Sequence, residues 1–283
     1  MPITFRDVSF TYAAKTPFSY EALKGINLQI DEGDFVAIVG RTGCGKSTLI
    51  QHMNALLNPS QGCVEIDDFH NDSDKKKRTK KVKPLRQKVG MVFQFPEYQL
   101  FEETVEKDVA FAPKNFGMKP EEALQKAHEA LGEVGLDESF YTRSPFELSG
   151  GEKRRVAIAG ILAASPEFLV VDEPTAGLDP KGAETMMDLF RSIHEKGTTI
   201  ILVTHDMDLV LKYCNKVIVI DDGEVAEITT PDHLFDVDVE RYSLQSPLLF
   251  SFASSLLKGG LAIERDQVSD VPSLAKEIAR CFR

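Results

Sequence analysis

The 283-residue sequence predicts an α/β fold: a mostly parallel sheet carrying helices, joined to an antiparallel β-subdomain, a helical subdomain and a small C-terminal extension. Three observations predict it. Short runs that are apolar at nearly every position, "FVAIV" (Phe35–Val39), "FLVVD" (Phe168–Asp172), "TIILVTH" (Thr199–His205) and "KVIVI" (Lys216–Ile220), read as strands buried on both faces. Segments of helical period lie between the later ones, the alternation that a parallel sheet requires. The first ~30 residues instead alternate with period two, as strands with one wet face do.

In chain order, "ITFRDVSFTY" sets Ile3 and Phe5 on one alternation and Val8, Phe10 and Tyr12 on the other, a phase shift that predicts a bulge. "INLQI" alternates again, and "DEGD" at Asp31–Asp34 is a turn. Glycines and a helical pattern follow the first buried strand. Beyond Pro120, a residue suited to a helix's first turn, Leu124, Ala127, Leu131 and Val134 recur at helical spacing. A second helix is expected from about Ser149 to Ala164, stopped by Ser165–Pro166. Further helices are expected to start at Asp179–Pro180 and near Asp206. The expected division is one domain over 1–230, with its helical insert at about 95–165, and an extension over 231–283. In that extension "LLFSFASSLL" (Leu248–Leu257) has a moderate helical pattern.

Composition narrows the function. With 42% hydrophobic residues the chain holds a substantial core. A net charge of −11 and a pI near 5.1 argue against a general affinity for nucleic acid. No run of about 18–20 apolar residues offers a membrane span. "MPITFRDVSF" has neither the basic nor the apolar region of an export signal. Cys44, Cys63, Cys214 and Cys281 stand far apart and the six histidines scatter. That spacing predicts no metal cluster, and a reduced cytosolic compartment suits the thiols.

The chemistry lies in three motifs. "GRTGCGKST" (Gly40–Thr48) follows a buried strand and opens a helix, matching G-x-x-x-x-G-K-[ST] in the required context. Gly40, Gly43 and Gly45 let the loop's backbone N–H groups, those of Arg41, Thr42 and Cys44 included, curl around phosphate oxygens. Lys46 is expected to reach the β- and γ-phosphates, Ser47 to hold Mg²⁺, and Thr48 to complete the motif. "FLVVD" ends in Asp172, a carboxylate at a strand tip expected to hold Mg²⁺ through water. Glu173 is expected to point elsewhere and polarise the attacking water. "LSGGEKRRVAIAG" (Leu148–Gly160) offers a second phosphate cradle, Ser149, Gly150 and Gly151 at a helix start. One ATP does not need two helix N-termini from one chain; a composite site shared by two chains does.

On these motifs the chain resembles the ATP-binding-cassette (ABC) ATPases along nearly its whole length up to about Ile228. The resemblance implies the P-loop NTPase fold of ABC ATPases, ATP and Mg²⁺, and two cassettes sandwiching two ATPs head-to-tail, each signature facing the partner's γ-phosphate. It implies that Tyr12 stacks on adenine and that Gln94 contacts Mg²⁺ and the attacking water. "AGLDP" (Ala176–Pro180) would cross the dimer seam and His205 would contact the γ-phosphate. Lys46, Gln94, Glu173 and His205 are thus the expected catalytic residues, and Ser47, Gln94 and Asp172 the expected metal site. Singly, Tyr12 reads as a half-buried strand residue and His205 as a surface residue; the joint order carries the assignment. Glu152 stands where the signature usually has Gln, and its charge would weaken a phosphate contact unless the side chain points away.

The interval of about 110 residues between P-loop and signature, without sustained heptads, leaves no room for the coiled coil of repair ATPases. A single cassette without fused membrane helices sets the chain apart from ribosomal members and exporters. "FQFPEYQLFEETV", "VAIAGILA" and "DEPTAGLDP" resemble the second ATP-binding subunit of energy-coupling factor transporters. That implies ATP-driven uptake of vitamins or other micronutrients, with the chain peripheral on the cytoplasmic face of the cell membrane. It implies a heterodimer with a sister ATPase, a transmembrane coupling protein, interchangeable substrate-binding membrane subunits and no nucleic acid, with the C-terminal extension helping to dimerise the ATPases. Two other readings stay open: a homodimeric ATPase of another ABC importer, and a soluble ABC ATPase acting on nucleic acid.

Two stretches need their own account. In Met91–Val105 a strand is expected to run to Gln94, with Pro96 stopping it and aromatic residues lining a groove. Glu97, Glu102 and Glu103 would ring that groove with negative charge for basic residues of a membrane partner; the plainer alternative packs Phe95 and Leu100 onto the chain's own core. "KKKRTKKVKPLRQK" (Lys75–Lys88) reads first as a solvated loop and second as a contact for anionic lipid headgroups; it lacks the interleaved aromatics of a nucleic-acid site.

Overall fold

Two stacked sheets organise the computed structural model, which describes residues 2–236, 239–264, 267–268 and 271–282. The strands among them are β1 (Ile3–Tyr12), β2 (Tyr20–Ile30), β3 (Phe35–Val39), β4 (Gln61–Ile66), β5 (Phe69–Asp72), β6 (Val89–Val92), β7 (Phe168–Asp172), β8 (Thr199–Val203), β9 (Lys216–Asp221) and β10 (Glu224–Thr229). The first sheet has the order β2-β1-β4-β5 and is antiparallel. The second has the order β10-β9-β3-β8-β7-β6 and is parallel except for β10. The phase shift in the first strand is a set of register breaks between Phe5 and Thr11, with Asp7 at φ 50°.

The uniformly apolar runs are explained by what each face meets. Val36, Ile38, Phe168, Val170, Ile201, Val203, Ile218 and Ile220 point at the antiparallel sheet. Their neighbours Leu169, Val171, Ile200 and Leu202 point at helices on the other side. With both faces covered, period two leaves no polar position. Fully buried Phe35, Phe168 and Phe190 each contribute about 2–3 kcal/mol by leaving water.

The helices are α1 (Lys46–Met53), α2 (Lys83–Lys88), α3 (Val105–Val109), α4 (Phe111–Asn115), α5 (Pro120–Glu133), α6 (Gly150–Leu162), α7 (Pro180–Glu195), α8 (Met207–Tyr213), α9 (Pro231–Asp236), α10 (Leu248–Lys258) and α11 (Val271–Cys281). α3 to α6 lie between β6 and β7 in sequence and share a core of Val105, Val109, Ala123, Ala127, Leu131 and Val156. The strand expected to reach Gln94 stops at Val92, and Pro96 opens a one-turn 3₁₀ helix to Gln99. Leu234 and Phe235 of α9 and Phe250 of α10 pack behind β9. Ala253, Ile263, Val268 and Leu274 form a separate small cluster under α10 and α11. Among the described residues no helix is long and apolar enough to cross a membrane.

Candidate active site

A cavity of about 470 Å³ opens where β3, β7 and β8 end, the crevice in which open α/β sheets bind ligands. Thr42, Gly43, Gly45, Lys46, Ser47 and Thr48 form one wall. The loop that supplies them leaves β3 under strict backbone demands. Gly40 has φ 147° and a Cβ there would lie 2.1 Å from the Ile220 carbonyl oxygen. Gly45, at φ 110°, precedes α1, and its Cβ would lie 2.6 Å from the Ala22 carbonyl oxygen. Gly43 has φ 82° and open space where a side chain would be. The loop is therefore a cradle held from below and left bare above, fit for a phosphate.

Gly40, Arg41 and Cys44 form the foundation of this loop and do not line the cavity. Cys44 is buried, its N–H donates to the Arg41 carbonyl at 3.3 Å, and its own carbonyl accepts from Gly223 at 3.0 Å. Burial pushes its thiol pKa up, with Lys46 opposing. Arg41 faces Asp221 at 3.3 Å and Asp222 at 3.8 Å. Lys46 folds its ammonium onto the loop's own carbonyls, Gly40 at 2.6 Å and Arg41 at 3.0 Å.

The facing wall consists of Gln94, Asp172, Glu173, Val203 and His205. The Asp172 carboxyl is pushed up to about 6, first by burial and then by the neighbouring Glu173, against the pull of Lys46. Its oxygens, the Ser47 hydroxyl and the Gln94 amide make an all-oxygen donor set of the kind that suits Mg²⁺. A cation there would also relieve the desolvation that lifts Asp172.

Glu173 does not point elsewhere, as alternation along the strand predicts; it lines the same cavity. Its left-handed backbone, φ 48°, breaks the alternation at a cost on the order of 1 kcal/mol. The Glu173 N–H donates to the Val203 carbonyl at 2.9 Å. Its Oε1 lies 2.8 Å from His205 Nδ1. A carboxylate only accepts, so Nδ1 carries the proton, and in a neutral ring Nε2 is bare.

Two tyrosines flank the cradle. Tyr12 and Tyr20 are cross-strand partners in the first hairpin. Tyr20, which the motifs do not mark, lines the cavity and donates from its hydroxyl to the Gly43 carbonyl at 3.2 Å. Tyr12 lies outside the lining, its hydroxyl 3.1 Å from Thr48 Oγ1. The signal for Tyr20 is its position directly across the hairpin turn from Tyr12.

Ser149, Gly150 and Gly151 are not part of this cavity. Gly151 borders a separate cavity of about 650 Å³ with Arg154, Arg155, Asp179 and Lys181. Ser149 caps α6 in a reciprocal box with Glu152. Both the Ser149 N–H and its hydroxyl donate to Glu152 Oε2 at 2.7 Å, and these bonds pull the Glu152 pKa down. Glu152 thus does not point away from the signature; it occupies the signature's serine.

The acidic ring expected around residues 97–103 is also corrected. Glu97 is nearly buried and forms a bidentate pair with Arg154 at 3.0 and 3.2 Å. Arg154 further donates to the carbonyls of Ala176 at 3.0 Å and Pro174 at 3.4 Å. Glu103 pairs with Lys107 at 2.9 Å. Pro96 and Leu100 are buried, whereas Phe95, Tyr98 and Phe101 are exposed. Beside them a groove of about 200 Å³ is lined by Arg86, Phe93, Ala112, Phe116 and Ile161.

Cross-strand pairing also assembles donors that the sequence holds apart. Cys63, Glu65 and His70 on β4 and β5 bring ligand atoms within 4.8 Å of one another. Glu65 is already held by Arg6 at 2.7 Å, and burial with the charges of Asp72 and Glu65 pushes the Cys63 thiol up to about 12.

Comparison with known proteins agrees with this geometry. The family described as ABC transporter matches residues 23–176. The chain is 50% identical over 280 residues to the energy-coupling factor transporter ATP-binding protein EcfA2 of Enterococcus faecalis, covering 95% of this chain and 96% of that one. It is 52% identical over 261 residues to EcfA2 of Lactococcus lactis, covering 92% and 90%. Among solved structures, cbiO1 from Clostridium perfringens, described as part of the ABC transporter complex cbiONQ, superposes with a TM-score of 0.73 at 36% identity over 89% of this chain and 98% of that one. The ATP-binding cassette MJ0796, as a dimer bound to ADP and Pi, superposes with a TM-score of 0.69 at 34% identity over 81% and 98%.

Proposed function

The chain belongs to the ABC transporter ATPases, as an ATP-binding subunit of the energy-coupling factor type, and from that premise we propose how its residues divide the work. The subunit hydrolyses ATP to power an energy-coupling factor importer. Lys46 exchanges the carbonyls of Gly40 and Arg41 for β- and γ-phosphate oxygens, and the N–H groups of the Gly43–Thr48 turn complete the cradle. Tyr12 and Tyr20 flank the adenine. Ser47, Gln94 and Asp172 would hold Mg²⁺, which when bound would neutralise charge on the phosphates. Glu173 accepts a proton from the attacking water. His205 holds Glu173 through Nδ1 and turns its other ring nitrogen toward a γ-phosphate oxygen.

The observation that carries this reading is a division in space. Lys46, Ser47, Gln94, Asp172, Glu173 and His205 converge on one cavity, while Ser149–Gly151 face elsewhere. A nucleotide in the cavity is left without a signature, and the signature without a nucleotide, until a second cassette docks head-to-tail. We assign that cassette to a sister ATPase, with the extension from residue 231 assisting the pairing. The groove at Phe93 and Phe116 takes a segment of the transmembrane coupling protein, which holds the chain peripherally on the cytoplasmic face of the membrane. The substrate, a vitamin or another micronutrient, is chosen by a separate substrate-binding membrane subunit.

Purifying the tagged chain from detergent-solubilised membranes tests this. Recovery of a second, different cassette with a small polytopic protein is expected. Recovery of two copies of this chain on a permease would replace the heterodimer with a homodimer. ATPase activity stimulated by nucleic acid, without membrane partners, would overturn the assignment.

A further inference from the structure

The basic stretch at residues 75–88 is left without a role by the nucleotide chemistry. It carries nine of the chain's 33 Lys and Arg residues in a protein of net charge −11, and no acid occurs from Lys75 to Pro96. The structure makes it a held platform. Thr79 donates its N–H to the His70 carbonyl at 2.9 Å and accepts the His70 N–H on its hydroxyl at 3.0 Å. Arg78 Nε donates to the Asp72 carbonyl at 2.9 Å. With these anchors fixed to β5, Lys75, Lys76, Lys77, Lys80 and Lys81 are exposed, and among the described residues none of the five reaches a carboxylate within salt-bridge distance.

The platform adjoins the groove. Lys83 Nζ donates to the carbonyl and side-chain oxygens of Asn115, both at 3.2 Å, at the end of α4. Arg86, three residues further along α2, lines the groove itself. Exposed Phe101 and Phe111 stack edge-to-face at 4.9 Å on the helical subdomain that forms the other side of this region.

We propose that the lysines at 75–81 dock on anionic phospholipid headgroups, orienting the subunit with its groove toward the membrane. The inference rests on the reading that this groove receives the membrane protein. It follows from charge placement. An acidic chain is repelled by an anionic bilayer unless its cations are gathered on the face that approaches it. Five unpaired ammoniums on a pinned loop supply that attraction. The five lysines lie exposed on the surface, and no stacking aromatics interleave them as a nucleic-acid site requires.

The test uses the purified full chain alone, with vesicles of phosphatidylcholine and of phosphatidylcholine mixed with phosphatidylglycerol. The chain is expected to co-sediment with the anionic vesicles and not with the neutral ones. Each ammonium near the surface is worth about a fivefold change in partitioning, so replacing Lys75, Lys76, Lys77, Lys80 and Lys81 with Gln should reduce binding on the order of 100-fold if about three engage. At ~1 M salt, where the Debye length is about 3 Å, binding should vanish for the parent chain as well. The variant's thermal melt and basal ATPase activity should be unchanged. Equal binding to both vesicle types, undiminished binding by the variant, tighter binding of RNA than of vesicles, or full displacement by inorganic phosphate would each overturn the proposal. Failure of vesicle binding with co-purification of the membrane partners intact removes only the lipid contact. Loss of co-purification by the parent chain removes the reading beneath it.

Discussion

Glu97→Gln is expected to lower stability by about 3 kcal/mol, although Glu97 lies outside the nucleotide cavity. The Arg154 side chain is 6% exposed and that of Glu97 16%, and two N–H···O contacts at 3.0 and 3.2 Å join them. Opposite charges roughly 4 Å apart attract by about 4 kcal/mol at an effective dielectric of about 20. Removing one member of such a pair typically costs about 3–5 kcal/mol, because the other charge stays buried without compensation. Gln keeps one acceptor for the guanidinium, and the Pro174 and Ala176 carbonyls remain, which places the loss at the lower end. At about 2–4 °C per kcal/mol, the melting temperature should fall by about 6–12 °C. Thermal unfolding of Glu97→Gln, Arg154→Met and the double variant measures it. The double variant should be no worse than either single one, since removing both charges leaves none stranded. Additive losses, or a Glu97→Gln melting point within ~1 °C of the parent, would refute the buried-pair argument.

Further outcomes follow from the same geometry. Glu173→Gln should keep ATP binding and slow hydrolysis by about 10²–10⁴-fold at the site it lines, measured with the partner cassette's own site silenced; unchanged turnover excludes Glu173 as the base. Asp172 binds its proton more tightly folded than unfolded, so the apo chain loses stability as pH rises from about 4 through about 6, and Asp172→Asn should lack that loss in denaturant titrations across the window. Parallel pH curves for the two proteins would contradict the assignment. Glu152→Gln gives up a favourable charge in the first turn of α6, about 0.3–1 kcal/mol, but releases the Ser149 hydroxyl from a charged acceptor. ATP-dependent pairing of cassettes, followed by light scattering, should tighten about fivefold, equivalent to ~1 kcal/mol; weaker pairing would show that the carboxylate assists the signature.

Much of this was legible in the sequence because the pattern and the physics coincide. Apolar runs such as "FLVVD" could only be strands with both faces covered, and the glycine loop between strand and helix declared its own geometry. What escaped were features created by backbone turns or by distant partners. The positive φ at Glu173 rotates a side chain that alternation assigns to the other face. Tyr20 reaches the cradle because a hairpin register sets it opposite Tyr12. The charge of Glu97 looked free because its partner lies 57 residues away, and Glu152 looked like an intruder because its cap on Ser149 is a matter of rotamer.

The strand order has a consequence for how the protein is made. β3, which ends in the phosphate loop, pairs only with β8 and β9, and the loop's Cys44 carbonyl is held by Gly223. On a ribosome adding roughly 5–20 residues per second, the ~180 residues between Cys44 and Gly223 take about 10–35 seconds to appear. For most of that interval, until β8 (Thr199–Val203) emerges, β3 has no neighbour on either edge. The antiparallel hairpin of β1 and β2 can form at once, but the nucleotide cradle is a late product of translation. A truncated chain ending before β8 should therefore emerge with this edge bare and sticky, and should engage general chaperones rather than ATP.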